Sequence, residues 1–163
     1  MRLKKFVLPL FVFMAAQHNA VQAEQAILKP FVLGSYQHLV TAANKQPFML
    51  VIWSMTCSSC LKDMALLSKL HKNKPDFKMV MLATDGAEAA AQIEAILVKN
   101  KLTTVENWNY ADENTPKLQY EIDSTWYGEL PRTYFFDKAQ QRIGVSGVLT
   151  EADYLSQFEK IVK

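Results

Sequence analysis

Residues 47–67 read PFMLVIWSMTCSSCLKDMALL, and the fold turns on how that stretch is parsed. Phe48 to Trp53 is an unbroken apolar run of strand length, the pattern of a strand covered on both faces. A Cys-x-x-Cys pair follows at Cys57 and Cys60. Leu61, Met64, Leu67 and Leu70 then recur at near-helical spacing, and the run ends before Pro75. Two chemistries use such a pair on a turn that opens a helix. One passes electrons between thiols and a disulfide; the other holds a soft metal ion, usually copper(I), between two thiolates. Trp53, four residues before the first cysteine, belongs to the first pattern, and Met55-Thr56-Cys57 to the second.

The metal reading makes a demand on the strand. Copper carriers with a Met-Thr-Cys-x-x-Cys loop are domains of roughly half this length, with an antiparallel sheet wet on one face. Their leading strand should therefore alternate apolar and polar residues, and Phe48 to Trp53 does not. Ser54 also stands where that loop usually has Gly. Met55 then reads as a loop residue packed near the site, with a copper(I) carrier as the alternative. Zinc needs four ligands, and beyond the two thiols only His38 and His71 are offered after the leader.

Cys57 and Cys60 are the only cysteines. A bridge between them closes so short a loop that it removes little chain entropy. An inert staple is the plain reading; retention for reactivity is the sharper one.

The chain opens with a basic start at Arg2, Lys4 and Lys5 and an apolar run, FVLPLFVFMAA. That is a leader pattern, too short to span a bilayer, and Val21-Gln22-Ala23 ends it with small residues where a signal peptidase reads. Residues 1–23 are thus expected to be a signal peptide and 24–163 one exported, periplasmic domain without stable membrane insertion once the leader is cleaved. A net charge of +2, part of it in the leader, gives no sign of nucleic-acid or anionic-membrane binding. Apolar residues at 50% and charged residues at 21% are ordinary globular composition.

Downstream, FKMVMLA reads as a second buried strand. Asp85 with Glu88 resembles a capping box opening a helix over AEAAAQIEAILVKN. A short strand near VENWNYA, a brief helix over NTPKLQYEI, a hairpin of RTYFFD and RIGVSGV about KAQQ, and a final helix capped by Thr150 and Asp153 complete the order. Tyr154, Leu155, Phe158, Ile161 and Val162 form that helix's apolar face. Alternation followed by a hairpin implies an α/β fold, a central mixed sheet with helices on both faces.

A cysteine at a helix N-terminus faces unpaired backbone N–H groups and the positive end of the helix dipole, which favour thiolate. Cys57 is so placed, while Cys60, one turn on, points inward and stays protonated. Cys57 is therefore the attacking sulfur and Cys60 the resolving one. Some seventy residues on, Leu130-Pro131-Arg132 leads into the strand RTYFFD. A cis X-Pro bond there would turn the Leu130 backbone outward, to pair with an extended client segment.

Trp-x-x-x-Cys-x-x-Cys after a buried strand, then Pro before TYFFD and a closing hairpin and helix, resembles thioredoxin. The leader and the segment between the second strand and Pro131 resemble its exported TlpA/ResA/DsbE-type branch. The resemblance covers most of residues 46–163 and implies a thioredoxin-like fold. Cys57 would be the nucleophile, Cys60 the resolving thiol, Trp53 the shielding aromatic and Pro131 the cis-proline. No cofactor is implied beyond the redox-active Cys57–Cys60 disulfide, and no metal. Implied partners are client proteins bearing disulfides or thiols and a membrane electron donor, with a reducing role on apocytochrome c or another exported client. Asp63 matches an acid that tunes or relays the proton of the buried thiol. The chain departs from the family in Ser58-Ser59, where a Pro is usual, in Asp63 for the usual Glu, and in Val51, where thioredoxin has a buried Asp.

Each residue also has a plainer reading. Asp63 suits the first turn of any helix, and burial decides between the two. Pro131 fits a trans bond at an edge strand. Trp126 and Tyr127 read first as core and second as a partner platform. Arg132 and Glu129 are either partner-selecting or solvated charges.

Overall fold

The structure is a computed structural model and describes residues 26–163; the leader read over residues 1–23 lies outside them. Six strands form one sheet in the order β1-β4-β3-β2-β5-β6. They are β1 Leu28–Phe31, β2 Phe48–Trp53, β3 Lys78–Ala83, β4 Glu106–Tyr110, β5 Arg132–Phe136 and β6 Arg142–Ser146. The first four in that order run parallel, β5 runs antiparallel to β2, and β6 antiparallel to β5. Five helices cover it: α1 Ser35–Ala42, α2 Ser58–Asn73, α3 Ala90–Lys99, α4 Thr115–Ile122 and α5 Glu151–Val162.

The apolar run decides the layering. Every residue of β2 is buried. Met49, Val51 and Trp53 pack with α2, α3 and α5 on one face; Phe48, Leu50 and Ile52 pack with α1 and α4 on the other. A period of two against helices on both sides leaves no polar position in the strand, so the expected mixed sheet forms and the one-wet-face alternative does not. No described helix is long and apolar enough to cross a membrane.

The element order read from Gln46 onward holds, including the hairpin and the Thr150–Asp153 capping box. Two elements precede it. The edge strand β1 carries Pro30, whose missing N–H suits an edge. Helix α1 is preceded by Gly34 at its N-cap, whose φ of 87° is left-handed. In α5 Tyr154 and Ile161 are buried and Leu155 and Phe158 pack on the core, whereas Val162 faces solvent at 37% exposure.

One expectation is overturned. Asp85 and Glu88 do not form a capping box: a 3-10 turn, Ala87–Ala89, with Gly86 before it, leads into α3, and no side chain caps either. Trp53 is in register with Ala83, so Asp85 lies beside the loop leaving β2. That loop's amides have no strand partner and claim the carboxylate.

Candidate functional site

β2 ends at Trp53 and the chain turns through Ser54–Thr56 into α2, with Cys57 as its N-cap. Asp85 fastens this turn: Ser54 Oγ donates to Oδ1 at 3.0 Å and the Met55 amide to Oδ2 at 2.9 Å. Ser54 Oγ lies 2.9 Å from Thr56 Oγ1 and accepts the Thr56 amide at 3.1 Å. Asp85 was not among the residues expected here. Its signal was its place two residues past a strand in register with β2.

Cys57 and Cys60 are joined in a disulfide. Their settings differ as the helix geometry requires. Cys57 is half-buried, and its Sγ accepts the Cys60 amide at 3.1 Å, taking up one of the first-turn donors. Cys60 is 2% exposed, inside the core formed with α3 and α5. Ser59 Oγ stands 3.3 Å from Cys57 Sγ, while Ser58 is exposed. Trp53 is 1% exposed and belongs to the same core cluster as Cys60, with Met55 packed at its margin.

Asp63 sits one turn beyond Cys60 on the same face of α2 and is buried at 4% exposure. Tyr154 Oη donates to its Oδ2 at 2.7 Å. Burial pushes the Asp63 carboxyl above the usual carboxylate range, and the Tyr154 hydrogen bond offsets this only in part. The Tyr154 phenol is itself raised, first by burial and then by the Asp63 charge. Tyr154 was expected only as core, and nothing in sequence spacing pairs it with Asp63.

The Leu130–Pro131 peptide is cis. β5 pairs Arg132 with Ile52, so Pro131 comes level with Trp53, at the strand end that feeds the cysteine turn. The Pro131 carbonyl accepts the Gly147 amide at 2.8 Å. Leu130 is half-buried and touches both cores. Arg132 is turned away and held: it donates to Ser146 Oγ at 2.7 Å, pairs with Asp123 at 3.4 Å and Glu129 at 3.8 Å, and lies 4.7 Å over the Tyr134 ring. Trp126 is core at 4% exposure, and its Nε1 donates to the Glu129 carbonyl; its neighbour Tyr127 is 93% exposed.

Solved structures share this layout. The chain is similar to a secreted Mycobacterium tuberculosis disulfide oxidoreductase homologous to E. coli DsbE, with a TM-score of 0.58 and 19% identity over 74% of this chain and 85% of that one. It is similar to a thioredoxin-family thiol:disulfide interchange protein from Chlorobium tepidum TLS, with a TM-score of 0.60 and 13% identity over 74% and 83%. The chain has the thioredoxin-like fold. A thioredoxin-related protein from Neisseria meningitidis serogroup B matches at a TM-score of 0.54 and 23% identity over 71% and 84%. No protein-family model and no curated protein sequence matches the chain. On the thioredoxin-like fold here, the disulfide, Trp53 and the cis-proline gather at one end of β2, with Asp63 one helical turn behind.

Proposed function

We propose that the protein is an exported thiol–disulfide oxidoreductase that exchanges the Cys57–Cys60 pair with client proteins, as a reductant. One observation carries this reading: a disulfide at the N-terminus of α2 joins a half-buried Cys57 to a buried Cys60. That asymmetry gives the two sulfurs different work.

In the reduced protein the Cys57 thiolate, favoured by the first-turn N–H groups, attacks one sulfur of a client disulfide. A Cys57–client bond forms and the first client sulfur leaves as thiolate. Cys60 then passes its thiol proton to the Asp63 carboxylate and attacks Cys57 Sγ. The Cys57–Cys60 bond forms, the Cys57–client bond breaks, and the electron pair departs on the second client sulfur. The client is reduced by two electrons and the protein oxidised by two. Trp53 keeps water from the inner sulfur. Leu130 presents its N–H and C=O to an extended client segment, with Pro131 shaping the bend and Arg132 bracing it through Asp123 and Glu129. A membrane electron donor restores the dithiol, the leader directs the chain to the periplasm, and apocytochrome c is a fitting client.

Insulin reduction by the protein, coupled to dithiothreitol, tests this. Turnover that disappears in Cys57→Ser is the expected result. Inactivity of the reduced protein, together with tight stoichiometric copper(I) binding, would replace the oxidoreductase with a copper carrier. Equilibration with glutathione sets the direction, and a potential near that of strong oxidases would overturn the reductant role.

A further inference from the structure

Both chain neighbours of Leu130 are tied down. The Glu129 carbonyl accepts Trp126 Nε1 at 3.0 Å, and the Pro131 carbonyl accepts the Gly147 amide at 2.8 Å. The N–H and C=O of Leu130 itself have no hydrogen-bond partner among the described residues. A backbone edge left open between two fixed peptides is prepared for an extended segment. Its N-terminal side is held by a chain of side chains that runs through β6. Arg132 Nη1 donates to Ser146 Oγ at 2.7 Å, and Ser146 Oγ donates to Glu129 Oε1 at 2.6 Å.

This chain needs room for the Arg132 guanidinium. Strand pairing sets Gly144 opposite Tyr134 and Ser146 opposite Arg132, all on one face of the sheet. The guanidinium lies 4.7 Å over the Tyr134 ring and so passes across Gly144. A Cβ at that position would overlap Arg132 Nη2 and stand 2.7 Å from Tyr134 Cε1, closer than real Cβ contacts come. Gly144 has no left-handed φ, so the close approach and not the backbone calls for glycine. Tyr134 is buried and its Oη donates to Asp123 at 2.9 Å, so the guanidinium is the group that would move. Ser146 and Glu129 would then lose their hold. Arg132 pairs with Ile52, whose face of the sheet is opposite the one that carries Trp53 and Cys60.

We propose that Gly144 is a positioning residue for client capture. It keeps the space in which Arg132 holds Ser146 and Ser146 holds Glu129, and so fixes the Leu130 backbone that an extended segment pairs with. The proposal rests on the redox reading of Cys57 and gives β6 a part in favouring polypeptide clients over small disulfides.

Gly144→Ala and Ser146→Ala test it in the full-length protein. Two substrates are compared: a disulfide-bonded peptide, and hydroxyethyl disulfide, which has no peptide to align. Each substitution is expected to raise KM for the peptide about three- to tenfold, the weight of one hydrogen bond, with little change in kcat. The rate with hydroxyethyl disulfide and the redox potential should stay at wild-type values, a split that a general weakening of the fold would not produce. The double variant should be no worse than the weaker single one, since both substitutions break one chain. Equal loss on both substrates, a shifted potential, unaltered peptide kinetics or additive effects would each overturn the proposal and leave the oxidoreductase reading standing. Should Gly144→Ala fail to fold, the peptide kinetics of Ser146→Ala decide whether the chain positions Leu130. Reduction of neither substrate by the wild type would overturn both readings together.

Discussion

Tyr154 Oη, on the last helix of the chain, donates a 2.7 Å hydrogen bond to Asp63 Oδ2, one turn behind the inner cysteine. The two residues stand 91 positions apart, and both are buried in the core that also holds Cys60. A carboxyl so placed is costly to ionise, and among the described residues one phenolic proton, that of Tyr154, eases the cost. The consequences for stability and for sulfur chemistry can be separated.

Asp63→Asn should stabilise the oxidised protein at neutral pH and do little at low pH. The folded carboxyl is raised by burial, so the folded state holds its proton more tightly than the unfolded chain does. The cost of the wild-type group is absent below the unfolded value, near 3.9, and grows as pH rises from there through the raised folded value. Urea denaturation of both proteins at acid and neutral pH measures it. A gain that is the same at both pH values would contradict the assignment.

Tyr154→Phe keeps the ring and removes the donor. At neutral pH it should cost about 1–3 kcal/mol, because a buried carboxylate loses its hydrogen bond, and the cost should shrink as Asp63 becomes protonated. In the reduced protein the Asp63 carboxyl should titrate at a higher pH than in wild type, read by carboxyl NMR shifts.

Ser59 Oγ lies 3.3 Å from Cys57 Sγ. Its hydroxyl can donate to the Cys57 thiolate after reduction, which stabilises the dithiol form and makes the pair more oxidising. Ser59→Ala should therefore raise the Cys57 pKa and make the potential roughly 20–40 mV more negative, equivalent to about 1–2 kcal/mol. Glutathione equilibria read the shift; Ser58→Ala, at an exposed position, is the control and should leave it unchanged.

Asp85→Ala removes the acceptor shared by Ser54 and the Met55 amide. The fold should lose about 1–2 kcal/mol, and hydrogen exchange at Met55 should accelerate more than at β2 amides. A uniform acceleration across the sheet would mean that Asp85 supports the domain and not the turn.

Cys60→Ser should accumulate a Cys57–client mixed disulfide, visible on non-reducing gels, because nothing then releases it. Cys57→Ser should trap nothing.

The central part of this fold was legible because one physical signal dominated. A six-residue apolar run has few homes other than the middle of a two-sided sheet, and the cysteine pair marked where the next helix starts. β1 and α1 carried no comparable signal: Leu-Lys-Pro-Phe is four residues long, and Ser35–Ala42 buries only Ser35, Leu39 and Val40. Asp85 misled because a local pattern, an acid three residues before a glutamate, mimicked a cap, while its true partners lay some thirty residues away. Motif, spacing and the family resemblance singled out the cysteines, Trp53, Asp63 and Pro131 as candidates. Tyr154 was not among them, since it matters through Asp63, a neighbour that only tertiary packing supplies.

The bridge spans three positions within the opening turn of α2, and no strand or second helix is tied by it. Opening or closing it therefore asks nothing of the six-stranded scaffold. On the proposed redox cycle, the oxidised and reduced molecules are expected to share one architecture, with the framework standing through loading and discharge.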